Sequence, residues 1–348
     1  MMDAAARLLA LFPPETAHAL TIWSIKAFSG LLPASAPDDP RLATTALGLS
    51  LPSPIGLAAG FDKNAQAPDA MLGLGFGFVE CGTITPRPQP GNPKPRLFRL
   101  REDLAVINRM GFNNAGAESA ARNLSRCRHR GVVGVNIGAN KDSADRIGDY
   151  AHAFRRLAPF CDYVAINVSS PNTPGLRGLQ DRDALSHLLE ALTAARAKCG
   201  QIRPLLLKIA PDLSAAAMDD IAEAALTAGI EGLIVSNTTI ERPAWLRSPH
   251  ASEAGGLSGA PLFARSTEVL KEMRKRVGTR LALIGVGGVS SGAEAYAKMR
   301  AGASLVQLYT ALAYEGPGLI GRIKRELAQH LARDGFAHAA DAVGADLA

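Results

Sequence analysis

The chain has 348 residues, 47% of them hydrophobic and 20% charged, with a formal net charge of +6. That length suits one large barrel with an appendage or two ordinary domains, and the composition excludes a disordered chain. The modest charge, aromatics at 5% and the lack of a long Lys/Arg block argue against a nucleic-acid binder and fit contact with an anionic ligand or membrane surface.

The first forty residues differ from the rest. Residues 1–12 predict a short helix, with Asp3 as N-cap, broken by Pro13–Pro14. Residues 15–31 predict a second helix, apolar around much of its circumference, with His18 and Lys26 as polar interruptions. Neither has the roughly 20 unbroken apolar residues that a bilayer span needs. Nor does a small-residue cleavage site of secretory type follow them, so they are not read as a signal peptide. Two readings stay open: a helical cap on the main domain or on a dimer partner, and a monotopic membrane contact that admits a lipophilic ligand. Residues 35–40 read as a linker.

A period then appears. Strand-like apolar runs lie at 55–59, 78–81, 132–137, 163–166, 205–209, 233–235, 281–286 and 304–309. Helix-like segments follow them at 67–74, 115–128, 147–157, 184–198, 215–228, 267–277, 292–300 and 318–333. This alternation predicts an α/β fold, a parallel (β/α)8 TIM barrel over residues 41–335, preceded by a helical extension (1–40) and followed by a short tail (336–348). A doubly wound sheet is the runner-up. It would place a phosphate loop after the first strand, where Gly60–Phe61–Asp62–Lys63 lacks the Gly-x-Gly-x-x-Gly pattern.

In a barrel the active site gathers at the C-terminal ends of the strands. There the sequence places Ala59–Gly60–Phe61–Asp62–Lys63, Thr83, Asn108–Arg109–Met110–Gly111–Phe112–Asn113–Asn114, Asn136, Asn167–Val168–Ser169–Ser170–Pro171–Asn172, Lys208, Ser236–Asn237–Thr238–Thr239, Gly255–Gly256–Leu257–Ser258–Gly259, Gly285–Val286–Gly287–Gly288 and Tyr309–Thr310. This inventory has no His/Asp/Glu cluster of metal-ligand type, no close carboxylate pair and no nucleophile elbow. Neutral amides match a ligand that is itself a mosaic of N–H and C=O, such as a pyrimidine ring. They are poor acids and bases, so hard chemistry would come from a cofactor. Gly287–Gly288 and Tyr309–Thr310 suit one phosphate monoester, as on flavin mononucleotide (FMN). A Gly-Gly that merely permits a tight turn is the alternative. Lys208 could stabilise negative charge on a reduced flavin, act as a Schiff-base lysine, or serve a structural ion pair. Cys81, Cys127, Cys161 and Cys199 stand apart, without Cys-x-x-Cys. They read as free thiols of a reducing cytosol, with Cys81 a candidate for reactivity.

Taken together, these motifs strongly resemble the dihydroorotate dehydrogenase family over roughly residues 41–325. Ser170, where the soluble class places a cysteine, and the N-terminal helices are similar to the quinone-dependent, membrane-associated class 2. The resemblance implies oxidation of (S)-dihydroorotate to orotate in pyrimidine biosynthesis, with FMN as hydride acceptor and ubiquinone or menaquinone as final acceptor. It implies Ser170 as the base for the C5 proton. It implies Lys63, Asn108, Arg109, Met110, Gly111, Phe112, Asn167, Asn172, Asn237 and Thr238 as substrate contacts. For FMN it implies Ala59, Gly60, Phe61, Asp62, Lys63, Thr83, Asn136, Asn167, Lys208, Ser236, Gly259, Gly288, Tyr309 and Thr310. Ser236 keeps the hydroxyl of the threonine that many members carry. The resemblance also implies a monomer held peripherally at the cytoplasmic face of the cell membrane by the N-terminal helices, with His18 and Arg99 near the quinone tunnel. A soluble-type enzyme with another acceptor, a lysine aldolase and a non-catalytic ligand-binding barrel are the competing readings.

Overall fold

The computed structural model describes residues 11–28, 37–128, 131–200 and 202–347. The helix expected over 1–12 falls mainly outside them, and Leu11 and Phe12 are not helical. The second helix runs Pro14–Ala27, with Pro14 in the first turn, where a missing N–H costs nothing. Its expected end, 29–31, lies outside the described residues.

The strands, in chain order, are β1 (Thr44–Ala46), β2 (Leu49–Leu51), β3 (Ile55–Leu57), β4 (Phe78–Ile84), β5 (Leu97–Leu100), β6 (Ala105–Asn108), β7 (Val132–Ile137), β8 (Tyr163–Asn167), β9 (Leu205–Ile209), β10 (Gly232–Val235), β11 (Gly256–Gly259), β12 (Ala282–Val286) and β13 (Leu305–Leu308). Eight of them close a barrel in the order β10-β12-β13-β3-β4-β7-β8-β9, every neighbouring pair parallel. The connecting helices lie outside, from Pro68–Gly73 to Gly318–Arg333. This is the (β/α)8 barrel. Several helices begin where a short polar side chain takes an orphan N–H: Asp145 accepts from Gly148, Ser214 from Ala217 and Ser291 from Glu294.

Two features go beyond the strand–helix alternation. The β1–β2 hairpin sends Ala46 and Leu51 into the same apolar cluster as the barrel interior, and so closes the N-terminal end. The long insertion after β4 and the one after β10 pair with each other. β11, β6 and β5 form an antiparallel sheet around Phe98, Leu100, Ala105, Ile107 and Leu257. The C-terminal stretch packs back on the barrel, burying Ala339 and Ala342 and pairing Asp346 with Arg300 at 2.6 Å.

Inside the barrel, glycines make room for rings. A Cβ on Gly134 would lie 2.0 Å from the Tyr163 ring, and one on Gly56 2.3 Å from Phe78. Both rings are fully buried, so neither can step aside without moving a strand. Gly134→Ala is expected to destabilise the fold by about 1–3 kcal/mol through overpacking, seen as a lowered thermal midpoint; an unchanged midpoint would show that the interior yields.

Candidate active site

The site is built upward from one buried carboxylate. Glu80 on β4 is fully buried inside the barrel. Its Oε1 accepts from Asn136 Nδ2 at 2.9 Å and lies 3.9 Å from Lys208 Nζ. Its Oε2 accepts from Tyr163 Oη at 3.0 Å and from Gln307 Nε2 at 2.9 Å. Burial pulls the Lys208 ammonium below the ordinary lysine range, and Glu80 opposes that pull. Burial and the Glu80 charge push the Tyr163 phenol well up, which keeps it a donor.

Because all these groups donate to Glu80, the amide of Asn136 has one orientation, oxygen upward. Thr83 Oγ1 donates to that oxygen at 2.6 Å, and Asn167 Nδ2 donates to Thr83 Oγ1 at 2.9 Å. Asn167 Oδ1 then accepts from Ser169 Oγ at 3.0 Å and from Asn237 Nδ2 at 3.3 Å. A directed chain of hydrogen bonds thus runs from the barrel floor to the loop carrying Ser170.

Above the floor lies a cavity of about 970 Å³. One wall is polar, with Lys63, Asn108, Met110, Gly111, Phe112, Asn167, Ser170, Asn172, Asn237 and Thr238 all facing the space. Ser170 is only 6% exposed, and its Oγ accepts from the Asn172 N–H at 3.3 Å. Arg177 clamps this loop: Nε donates to the Ser169 carbonyl, Nη2 to the Thr238 carbonyl, and Nη1 pairs with Asp212 at 2.9 Å. Asn92 ties Arg109 and Asn172 together through their carbonyls. Burial draws the Lys63 ammonium down to about 8, with the nearby Glu15 charge pulling the other way.

The opposite wall is a glycine cradle of Gly259, Gly287 and Gly288 with Tyr309 and Thr310. All three glycines have positive φ, and a Cβ on any of them would fall within 2.7 Å of a neighbouring atom. Ala59, Gly60, Phe61, Thr83, Lys208 and Ser236 also line the space. The third side is apolar and runs out under helix Pro14–Ala27, past Ala17, Ile25, Phe28, Leu97 and Leu104. His18 stands there edge-on to Phe61, 5.2 Å between ring centres. Burial and the Lys63 charge pull its imidazole down to about 3, so it is neutral at physiological pH. Arg99 lines the same side and donates to the Phe12 carbonyl at 2.9 Å.

Three of the expected site residues lie off the cavity wall. Asp62 is buried and accepts from the Gln66 and Ala67 N–H groups, each at 2.8 Å, so it shapes the loop after β3. Asn136 lies beneath the wall in the chain described above. Arg109 reaches the far side of the insertion sheet, paired with Glu253 at 2.8 Å and stacked over Phe98. Cys81 is buried, and burial pushes its thiol well up, which removes the reactive thiolate. Sequence reasoning missed Glu80, Gln307 and Arg177. The first two stood in plain view as polar residues inside apolar strand runs.

The family model for dihydroorotate dehydrogenase matches residues 41–331. A relative from Allorhizobium ampelinum, named dihydroorotate dehydrogenase (quinone), is 58% identical over 335 residues, covering 94% of this chain and 92% of its own. One of the same name from Rhodospirillum rubrum is 58% identical over 336 residues, covering 96% and 91%. The crystal structure of DHODH from Eimeria tenella in complex with ferulenol superposes with a TM-score of 0.92 at 44% identity, covering 96% of each chain. With a match across the whole barrel and relatives aligned over nine-tenths of their length, the chain belongs to the dihydroorotate dehydrogenase family.

Proposed function

We propose that this chain oxidises dihydroorotate to orotate in pyrimidine biosynthesis, with FMN as the hydride acceptor and a quinone as the final electron acceptor. The observation that carries the reading is the cavity itself: a wall of oriented amides, a lysine and a serine faces a glycine cradle, and both open onto one apolar passage. Family membership and relatives named for quinone support it. The cradle suits a phosphate, since its glycines leave backbone N–H groups bare of side chains. When bound, the flavin supplies a two-electron acceptor that amides and hydroxyls cannot provide.

The chain's own groups do the rest. Lys63 pairs with the substrate carboxylate. Asn108, Asn172, Asn237 and Thr238 match the ring's N–H and C=O groups, with Met110, Gly111 and Phe112 shaping the pocket and Arg109 holding the strand end. Ser170 takes the C5 proton. A serine hydroxyl is a weak base, and its near-complete burial supplies the dry surroundings it needs. Asn167, Thr83, Lys208 and Ser236 hold the flavin ring, with Ala59, Gly60, Phe61 and Lys63 along its edge, while Asn136 and Asp62 support that wall from behind. Gly259, Gly288, Tyr309 and Thr310 hold its phosphate. The quinone reaches the cavity beneath helix Pro14–Ala27, beside His18 and Arg99. Leu11, Phe12, Leu20, Trp23 and Phe28 are exposed around that opening and form the peripheral contact with the cytoplasmic face of the membrane. No helix among the described residues is long and apolar enough to cross it.

The deciding experiment is the visible spectrum of the purified protein under anaerobic conditions. A flavin band that bleaches on adding dihydroorotate and returns with a soluble quinone is expected. A yellow protein that does not bleach would remove the substrate, and a colourless one the flavin. Ser170→Ala is expected to slow that bleaching roughly 10²–10⁴-fold in stopped flow while flavin content holds. The Michaelis constant for dihydroorotate should rise as pH passes about 8, because Lys63 is cationic below that value and neutral above it. Lys63→Met should abolish that rise. Ser24→Trp, which fills the passage, should lower quinone turnover roughly tenfold and leave bleaching by dihydroorotate unchanged.

A further inference from the structure

Behind the glycine cradle sits a buried amine that none of the roles above uses. Lys298, on helix Gly292–Arg300, is fully buried. Among the described residues no carboxylate forms an ion pair with it; the carboxylate of Glu294, one turn back, accepts instead from Ser290 and Ser291. Lys298 Nζ lies 5.1 Å from the centre of the Phe263 ring and donates to Ser266 Oγ at 2.6 Å. With a lone pair held by the ammonium, the Ser266 hydroxyl must send its own proton elsewhere. Two carbonyls stand at 3.1 Å, those of Phe263 and Gly287. The Phe263 carbonyl already receives the Thr267 hydroxyl at 2.7 Å and, as the first carbonyl of helix Phe263–Val277, the Thr267 N–H, so both its lone pairs are taken and the proton goes to Gly287.

The consequence is geometric. In a trans peptide the C=O and the following N–H point opposite ways. Drawing the Gly287 carbonyl down to Ser266 therefore turns the Gly288 N–H up, toward the cavity that both glycines line. The loop can sit this low only because it is bare: a Cβ on Gly287 would meet Ser266 Oγ at 2.7 Å, and one on Gly288 the start of helix Phe263–Val277 at 2.5 Å.

We propose that Lys298 and Ser266 are positioning residues of the phosphate cradle: they pin the Gly287 carbonyl into the core, aim the Gly288 N–H at the FMN phosphate and place a buried positive charge behind it. The proposal rests on the FMN reading above. It also explains why an amine is buried here with no ion pair among the described residues and only the Glu294 charge acting on it from a distance, since a closer counter-charge arrives with the ligand. Burial, which pulls Lys298 well below the ordinary lysine range, is offset when a dianion binds nearby.

The test is flavin selectivity. Dilute holoprotein is allowed to release flavin, followed by free-flavin fluorescence, and back-titrated with FMN or with riboflavin, which lacks the phosphate. Lys298→Met is expected to weaken FMN binding roughly tenfold and riboflavin binding by less than about threefold. Ser266→Ala removes one hydroxyl from a helix that tolerates alanine, and should shift the preference the same way. Equal loss of both flavins, or no loss of FMN, in Ser266→Ala overturns the proposal, whether or not Lys298→Met folds. A native protein that binds FMN no better than riboflavin would instead overturn the phosphate cradle beneath it, a separate result.

Discussion

A carboxylate has been taken out of water and placed inside a barrel, and the rest of the site arranges itself around that fact. An unpaired charge at Glu80 would cost several kcal/mol, so the interior supplies donors on every side. Supplying them has its own cost. Gln307 turns its NH2 group to Glu80 and leaves its Oε1 buried without a partner among the described residues. The carboxylate wins that contest, since an unmet anion is worse than an unmet amide oxygen. Once it wins, Asn136, Thr83 and Asn167 have no freedom to reverse. Donor and acceptor positions at the cavity wall are therefore dictated from the floor of the barrel.

The walls above that floor have different origins. Most of the glycine cradle belongs to the barrel, at the ends of β12 and β13 where this architecture commonly binds phosphate, and Gly259 comes to it from β11 of the added sheet. The amide wall is shared between barrel loops and the added β11–β6–β5 sheet, and a cation ties the barrel loops to one another. Arg177 donates directly to the Ser169 and Thr238 carbonyls while Asp212 balances its charge, so the loop bearing Ser170 is tied to its neighbour. Lys298 performs a similar office behind the cradle. Arg177 holds backbone carbonyls directly and Lys298 reaches one through the Ser266 hydroxyl, so in each case a cation fixes the path of the chain beside the cavity.

How much of this could be read beforehand follows from what the sequence displays locally. Fully buried strands are short apolar runs, so 132–137 and 205–209 stand out with their observed bounds. Polar clusters at their ends point to the mouth for the same reason. The insertion sheet is different. It pairs Asn108 with Gly256, nearly 150 residues apart, and no local period records such a partnership. Arg109 shows the limit of a motif: it shares a stretch with cavity residues, yet alternation along the chain sends it to the opposite face, onto Phe98. Glu80 and Gln307 were legible in principle. A charge inside an apolar strand run asks for an explanation, and the strand pattern alone hides the question.

The N-terminal helix is fastened in a way that bears on how anything gets past it. Glu15 receives both Nε and Nη2 of Arg96, while Arg96 Nη1 donates to the Pro90 and Asn92 carbonyls. Asn92 in turn holds the carbonyl of Asn172. Swinging the helix outward would strip the buried Arg96, only 6% exposed, of its counter-charge and slacken the loop that carries Asn172. The helix is thus part of the frame of the opening and not a flap across it. Whatever travels that route slides between fixed apolar side chains, so its width and flatness decide admission, and traffic on one side proceeds without loosening the grip on the other.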